Sequence, residues 1–201
     1  MESLRTLVSR ARALPLDDVD TDVIYPARFL LITQKRGLGR YAFADRRGAD
    51  FPIGDDGLAG AHILVAGRNF GCGSSREQAV WALADLGVRG ILAPSFGEIF
   101  ESNCFKNGLL AVRLSDEETA TARRAAEVGE EIAIDVAAQT IRSSSLGEIG
   151  FAIRPERQEA LLAGWNEITR IRALHRAEID TFEAAQRGRA PWLWTKDVSD
   201  G

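Results

Sequence analysis

The sequence predicts a mixed α/β fold built around parallel strands. Three short apolar runs, at residues 58–66, 88–93 and 109–114, have the length and the aliphatic composition of buried strands. Segments with helical periodicity separate them, so the middle of the chain alternates strand and helix. Strands connected in this way pair in parallel through right-handed crossovers.

Ahead of these strands, the first 47 residues are predicted to form one strand and two loops. Residues 4–14 alternate between apolar and polar side chains, which indicates a strand with one solvent-facing side. Residues 15–26 contain four aspartates and are predicted to form a loop that side-chain-to-backbone hydrogen bonds order. Residues 28–47 are predicted to be a long mobile loop with one short helical stretch.

Helix-boundary signals mark three helices in the alternating part of the chain. The predicted helices are residues 75–86, 96–107 and 116–128. Gly87 and Gly108 stand where the first two end, because glycine readily adopts the left-handed conformation that closes a helix. Ser115 and Glu118 have the spacing of a capping box, which opens the third.

The C-terminal part is predicted to contain a hairpin followed by helices. Residues 131–141 alternate again and are predicted to pair with residues 142–153. Two amphipathic helices are predicted near residues 155–165 and 174–187. At the usual ~150 residues per domain, the length predicts one domain spanning residues 1–201, with a helical C-terminal extension from about residue 155.

The composition is that of a soluble globular protein and excludes several functional classes. Hydrophobic residues make up 45% of the chain, charged residues 27%, and the net charge of −4 argues against a nucleic-acid partner. No apolar run approaches the roughly 20 residues of a membrane span. The N-terminus lacks the apolar core of a secretory signal, so we expect a cytoplasmic protein. Two cysteines, Cys72 and Cys104, are too few to bind a zinc ion or an iron–sulfur cluster in this chain.

A glycine-rich turn at residues 67–76 is the strongest functional signal. It follows a predicted strand and opens a predicted helix, so backbone N–H groups converge there and favour an anion. Arg76 is expected in the first helical turn, where a cation needs a negative neighbour such as a carboxylate ligand. The alternative is that Ser74 or Ser75 simply caps the helix.

The turn lacks the signatures of common nucleotide and hydrolase sites. It has no Gly-Lys-Ser/Thr phosphate loop, no third glycine of the dinucleotide fingerprint and no Gly-x-Ser-x-Gly elbow. Two serines beside an arginine remain. A serine hydroxyl acts as a base or nucleophile only where its alkoxide is stabilised, and Arg76 favours that form.

Three long motifs occur in series: DVDTDVIYPARFL at residues 18–30, GRNFGCGSSRE at 67–77 and SFGEIFESNCFKNGLL at 95–110. Together they resemble the small subunits of isopropylmalate isomerases, which belong to the aconitase superfamily. The resemblance continues through FAIRPERQEALLAGWNEI at 151–168 and AEIDTFEAAQRGRAPWL at 177–193, and so covers nearly the whole chain.

This resemblance implies a three-layer β/β/α swivelling domain that acts within a heteromeric hydro-lyase of leucine biosynthesis. A separate large subunit is expected to hold the 4Fe–4S cluster, and the substrate is expected to be a malate-type diacid. Ser74 is expected to act as the base, and Ser75 and Arg76 to bind the substrate carboxylate.

The same resemblance implies functions for two further segments. Thr21 and Asp22 match a threonine–aspartate motif, so Thr21 is expected to contact substrate and Asp22 to pair with a cationic or histidine group across the subunit interface. Capping of an Asx turn is the structural alternative for the aspartates. In the loop at residues 30–38, Leu31 and Ile32 are expected to contact the isopropyl group; a strand-like edge is the alternative.

The sequence departs from the family at the helix after Arg76. Gln78 and Val80 replace the histidine and proline of the common REHAPWAL pattern. This leaves open a paralogue for a related diacid, such as methylmalate or citraconate. A non-catalytic anion-binding module is the rival from another class, and a stand-alone serine hydrolase is disfavoured because no histidine lies in a triad context. Without its partner, the chain is expected to self-associate.

Overall fold

Strand β1 (Thr6–Leu14) joins a parallel and an antiparallel ladder in the computed structural model, which describes residues 1–32, 34–48, 51–54 and 56–194. Its C-terminal part, residues 11–14, pairs in parallel with β2 (Ile63–Ala66), and residues 6–10 pair antiparallel with β5 (Glu131–Asp135). The other strands are β3 (Gly90–Ala93), β4 (Leu110–Arg113), β6 (Thr140–Ser143) and β7 (Gly147–Gly150). The seven strands form one mixed sheet in the order β4-β3-β2-β1-β5-β6-β7.

The sheet curls so that its antiparallel part faces its parallel part. In a flat sheet, β3 and β5 would lie about 14 Å apart, because three strand spacings separate them. Yet a Cβ placed on Gly90 of β3 would lie 3.5 Å from Cδ1 of Ile134 on β5 and 3.1 Å from Cδ2 of Leu7 on β1. Apolar side chains therefore fill the space between two β layers, and the helices complete the α/β architecture.

The two central parallel strands, β2 and β3, are buried along their whole length. All four residues of β2 and of β3 are buried, as expected for central strands covered on both faces. The helices that alternate with the strands are α2 (Glu77–Leu86), α3 (Glu98–Lys106) and α4 (Asp116–Glu127). Gly87 and Gly108 adopt positive φ values of 107° and 80°, and the capping box of Ser115 and Glu118 opens α4. These predictions are confirmed.

The N-terminal loops contain more regular structure than the sequence predicted. Within residues 15–26, a single helical turn, α1 (Thr21–Ile24), begins where the Asp20 carboxylate accepts a hydrogen bond from Val23 N at 2.7 Å. Residues 28–47 contain the end of one 3₁₀ turn and the whole of another, at Ala27–Phe29 and Gly39–Tyr41, where one helical stretch was predicted.

The predicted two-stranded hairpin is wrong, because the structure has three antiparallel strands there. The first predicted strand breaks after Asp135, whose carboxylate accepts a hydrogen bond from Ala138 N at 2.8 Å. Gln139 then adopts a left-handed conformation with φ of 54°, which reverses the chain into β6. Alternation of apolar residues continues through this turn and so hides it from sequence analysis.

The C-terminus forms three helices where two were predicted: α5 (Pro155–Ala163), α6 (Glu167–Leu174) and α7 (Arg176–Arg189). Only α5 has a fully buried apolar side chain, Leu161, whose carbonyl accepts a hydrogen bond from Leu4 N. The helices α6 and α7 contain no buried residue, and Ile168, Ile171 and Phe182 remain exposed. Among the described residues, no helix has the length and apolar character that crossing a membrane requires.

Curling of the sheet leaves little room for a side chain larger than a methyl group at Gly90. We expect Gly90→Val to lower the free energy of unfolding by about 1–3 kcal/mol, because the new side chain would overlap Leu7 and Ile134. Urea denaturation of the folded chain measures this loss. The control is Gly150→Val in β7, where the nearest atom to a new Cβ is 4.0 Å away. Equal stabilities of the two variants would contradict the curled packing.

Candidate functional site

The glycine-rich turn lies directly beside the aspartate-rich segment. Three backbone hydrogen bonds join the two segments: Asp18 N to Arg68 O at 2.9 Å, Gly71 N to Val19 O at 2.7 Å and Thr21 N to Cys72 O at 3.0 Å. Asp20 and Cys72 also form a parallel β-bridge. The two motifs singled out in the sequence therefore form one site.

Ser74 is held by a buried threonine. The two hydroxyl oxygens, Ser74 Oγ and Thr21 Oγ1, lie 2.7 Å apart, within hydrogen-bond distance. Thr21 is 1% exposed, whereas Ser74 is half-buried and reaches the surface of the turn. The Thr21 side chain is thus directed at Ser74 in this structure, and not at solvent. A threonine hydroxyl that donates to Ser74 would stabilise negative charge on Ser74 Oγ.

Arg76 has its negative neighbour within the chain. Its guanidinium forms an ion pair with the carboxylate of Asp22, the residue that follows Thr21. The sequence predicted that Arg76 needs such a neighbour, but expected a carboxylate ligand there, and expected Asp22 to pair across a subunit interface. The contact between Asp22 and Arg76 joins residues 54 positions apart, so local sequence pattern does not reveal it.

The prediction that Arg76 lies in the first turn of the helix is wrong. Arg76 occupies the position before α2 with an extended backbone (φ −67°, ψ 117°), and no side chain caps the helix. The alternative that Ser74 or Ser75 caps the helix is therefore also wrong. The Ser74 hydroxyl instead contacts Thr21, and Ser75 is exposed beside Arg76.

Helix α3 packs closely beneath the turn. This close packing explains why a glycine is needed both in the turn and at the start of α3. Gly71 has a φ of 75°, and a Cβ there would lie 2.1 Å from the ring of Phe100. A Cβ on Gly97, at the start of α3, would lie 2.5 Å from the carbonyl oxygen of Gly71. Both positions need glycine, because any side chain would push α3 away from the turn.

Two asparagines of α3 that sequence analysis missed contact the same region. Asn103 is 7% exposed and donates from Nδ2 to the carbonyl oxygen of Ser75 at 3.3 Å. Asn107 donates to Glu77 Oε1 at 2.7 Å and accepts from Trp81 Nε1 at 3.1 Å. The available signal was a pair of asparagines four residues apart on a helix face that otherwise carries Phe100 and Cys104.

The predicted recognition loop lies outside this hydrogen-bonded cluster. Leu31 is 93% exposed, and Ile32 is half-buried against the core. Thr33, in the middle of the predicted loop at residues 30–38, lies outside the described residues. Across the described part of this loop, no hydrogen bond or ion pair reaches Ser74 or Arg76; Lys35 stacks instead on the Trp81 ring at 4.4 Å.

The described residues contain no group of three or more His, Cys, Asp or Glu side chains that could hold a metal ion. Both thiols are free. Burial, together with the nearby carboxylates of Asp20 and Asp18, raises the pKa of Cys72. Burial raises the pKa of Cys104 well above its usual range. Both residues are therefore protonated at neutral pH.

The raised pKa of Cys72 can be tested by alkylation of its thiol. The rate of reaction with iodoacetamide should begin to rise at a higher pH than for a free cysteine, because only the thiolate reacts. Asp18→Asn removes one negative neighbour, lowers the Cys72 pKa and moves the curve to lower pH. Asp180→Asn, on α7, is the control. Mass spectrometry locates the adduct on Cys72, since Cys104 is buried; unchanged pH curves in Asp18→Asn would contradict the electrostatic contribution.

Comparison with known proteins places this site in a family. Residues 1–117 match the model of the aconitase C-terminal domain. The chain is 43% identical to the 3-isopropylmalate dehydratase small subunit of Erythrobacter litoralis over 196 residues, which cover 97% of each chain. It is 39% identical to the small subunit of the same name from Paramagnetospirillum magneticum, covering 96% of this chain and all of the relative.

A solved structure shows the same fold. The crystal structure of 3-isopropylmalate dehydratase from Methanocaldococcus jannaschii superposes with a TM-score of 0.65 at 29% identity, covering 89% of this chain and 99% of that one. The three-layer α/β fold expected from the sequence is thereby confirmed. The chain belongs to the family of 3-isopropylmalate dehydratase small subunits, within the wider group that carries the aconitase C-terminal domain.

Proposed function

We propose that this chain is the small subunit of a heteromeric hydro-lyase that interconverts 2-isopropylmalate and 3-isopropylmalate through isopropylmaleate, in the cytoplasmic biosynthesis of leucine. The observation that supports this most directly is the contact between Ser74 and Thr21 beside the ion pair of Asp22 and Arg76. It brings a hydroxyl base and a carboxylate-binding cation to one surface.

The partner in this proposal is a large subunit that covers the surface around Ser74. When that subunit is bound, its 4Fe–4S cluster supplies a Lewis acid for the substrate hydroxyl and one carboxylate. This chain supplies groups for the other end of the substrate. Self-association of the isolated chain is part of the proposal, since Ile168, Ile171 and Phe182 expose apolar surface.

Ser74 acts as the general base in this scheme. As the alkoxide, formed by loss of its own proton to solvent, Ser74 Oγ accepts the proton from the substrate carbon next to a carboxylate, and the electron pair of that C–H bond forms the double bond of isopropylmaleate as hydroxide departs. Return of the proton to the carbon that lost hydroxide, and of hydroxide to the carbon that lost the proton, gives the isomer. Thr21 Oγ1 lies 2.7 Å from Ser74 Oγ, and when Ser74 Oγ carries negative charge the Thr21 hydroxyl donates to it and stabilises that charge.

Arg76 and Ser75 bind the carboxylate of the substrate. A guanidinium has five N–H donors, and the contact with Asp22 uses Nη1 of Arg76, so donors remain for a ligand. Asp22 thus acts within the chain by orienting Arg76. Ser75, exposed next to it, adds a hydroxyl donor.

For the side group of the substrate, we propose contacts with Leu31 and Ile32. The 93% exposed Leu31 offers an apolar surface that an isopropyl group or the partner subunit can cover. The alternative substrate, methylmalate or citraconate, rests on Gln78, which is half-buried at the start of α2. Val80 does not support an alternative substrate. It is fully buried in the core, so its replacement of proline affects packing.

Ser74→Ala tests the assigned base. In the complex reconstituted anaerobically with an iron-bearing large subunit, we expect kcat for 3-isopropylmalate to fall by about 10²–10⁴-fold while assembly is retained, because only one hydroxyl is lost. Ser145→Ala, in the distant β6–β7 turn, is the control. Turnover within a few-fold of wild type would exclude Ser74 as the base. Binding of a malate-type diacid by the chain alone, with no iron-bearing partner, would favour the binding-module alternative.

Arg76→Lys tests carboxylate recognition. We expect KM to rise by about tenfold or more with a smaller change in kcat, because an ammonium group cannot replace the forked guanidinium donors. Arg68→Lys is the matched control: Arg68 lies in the same turn, is exposed and pairs with Asp116. If KM were the same in both variants and wild type, Arg76 would not bind the substrate carboxylate.

A further inference from the structure

We propose that Asn103 is a positioning residue for this reaction: it fixes the orientation of the peptide between Ser75 and Arg76, so that the Arg76 N–H faces the substrate. The inference rests on the proposed function, because it assigns the carboxylate to this turn. In this proposal, a residue of α3 that lies outside the turn orients a backbone group of the site.

The buried side chain of Asn103 contacts the backbone carbonyl of Ser75. Asn103 is buried at 7% exposure, and its Nδ2 lies 3.3 Å from the Ser75 carbonyl oxygen. Because α2 begins at Glu77, this carbonyl precedes the helix. In the described part of the chain, Asn103 is the one donor that the structure gives it. A buried amide directed at a backbone carbonyl holds that carbonyl on the α3 side of the turn.

Planarity of the peptide group then sets the direction of the next N–H. In a trans peptide the carbonyl and the following N–H point in opposite directions. With the Ser75 carbonyl turned toward α3, the Arg76 N–H is turned away from α3. Among the described residues, no acceptor is found for the Arg76 N–H, and no side chain caps α2. A carboxylate bound by the Arg76 side chain therefore meets a backbone donor that is already oriented.

Asn103 is itself fixed by its neighbours. Asn107 Nδ2 donates to the Asn103 carbonyl at 2.9 Å and to Glu77 Oε1 at 2.7 Å. Trp81 Nε1 donates to Asn107 Oδ1 at 3.1 Å. These bonds tie the last turn of α3 to the first turns of α2, so the distance between Asn103 and Ser75 is set by the packing of two helices.

Two substitutions separate positioning from simple stability. Asn103→Leu keeps a similar volume and removes the donor, and Asn103→Asp keeps the shape but places a carboxylate against the Ser75 carbonyl. The matched control is Cys104→Ala, the next residue of the same helix, which is fully buried. It creates a cavity in α3 without touching the turn.

The test measures kcat, KM and melting temperature in the complex with the large subunit, with 3-isopropylmalate as substrate. We expect kcat to fall at least about tenfold in both Asn103 variants, because a misdirected Arg76 N–H no longer supports the bound substrate. Cys104→Ala should lower the melting temperature but keep kcat within about twofold. The proposal is overturned if both Asn103 variants keep wild-type kcat, or if kcat in Cys104→Ala falls equally.

A second measurement separates this proposal from the proposed function. The ¹⁵N–¹H resonance of Arg76 in the full chain reports the environment of its N–H without any substrate. It should move in Asn103→Asp and stay at its wild-type position in Cys104→Ala; an unmoved resonance in Asn103→Asp overturns the positioning role. Absence of 3-isopropylmalate turnover by the wild-type complex refutes the proposed function alone.

Discussion

One face of helix α3 supports the whole glycine-rich turn. Gly97, Phe100, Asn103 and Asn107 follow one another at helical spacing; the first two contact the turn at Gly71, the third contacts it at Ser75, and Asn107 contacts Glu77 at the start of α2. The first two contacts are steric and admit only glycine at 71 and 97; the last two are hydrogen bonds. The turn therefore has its shape because a helix lies beneath it, and a change in the α3 side chains that contact Gly71 or Ser75 would alter the turn directly.

The sheet brings the aspartate-rich segment next to the glycine-rich turn. Residues 11 and 63 are register partners in the pairing of β1 with β2, and the bridge between Asp20 and Cys72 has the same separation of 52 residues. The segments that follow β1 and β2 leave the same edge of the sheet and run side by side for six further residues. Beyond this bridge the separation grows to 53 residues between Thr21 and Ser74 and to 54 between Asp22 and Arg76, so the two segments stay side by side but leave the strand register.

Local pattern was enough to predict most elements, since burial and capping leave signals within a few residues. The strands around Ile63 and Ile91 and the glycine that closes α2 follow from such signals. Contacts across the fold do not: the pair of Asp22 and Arg76, the bond from Asn103 to Ser75 and the curl of the sheet over Gly90 depend on tertiary packing. The turn at Asp135 was hidden because alternation continued through it.

Sharing β1 between both ladders has a consequence for folding during synthesis. The antiparallel partner of β1, at residues 131–135, lies roughly 120 residues later, and at usual translation rates about 6–24 s pass before it is made. Until then, the Leu7 side of β1 has an unpaired edge and an uncovered apolar surface. The nascent chain thus exposes a strand that can pair wrongly, and protection by chaperones at this stage would raise the yield of the native fold.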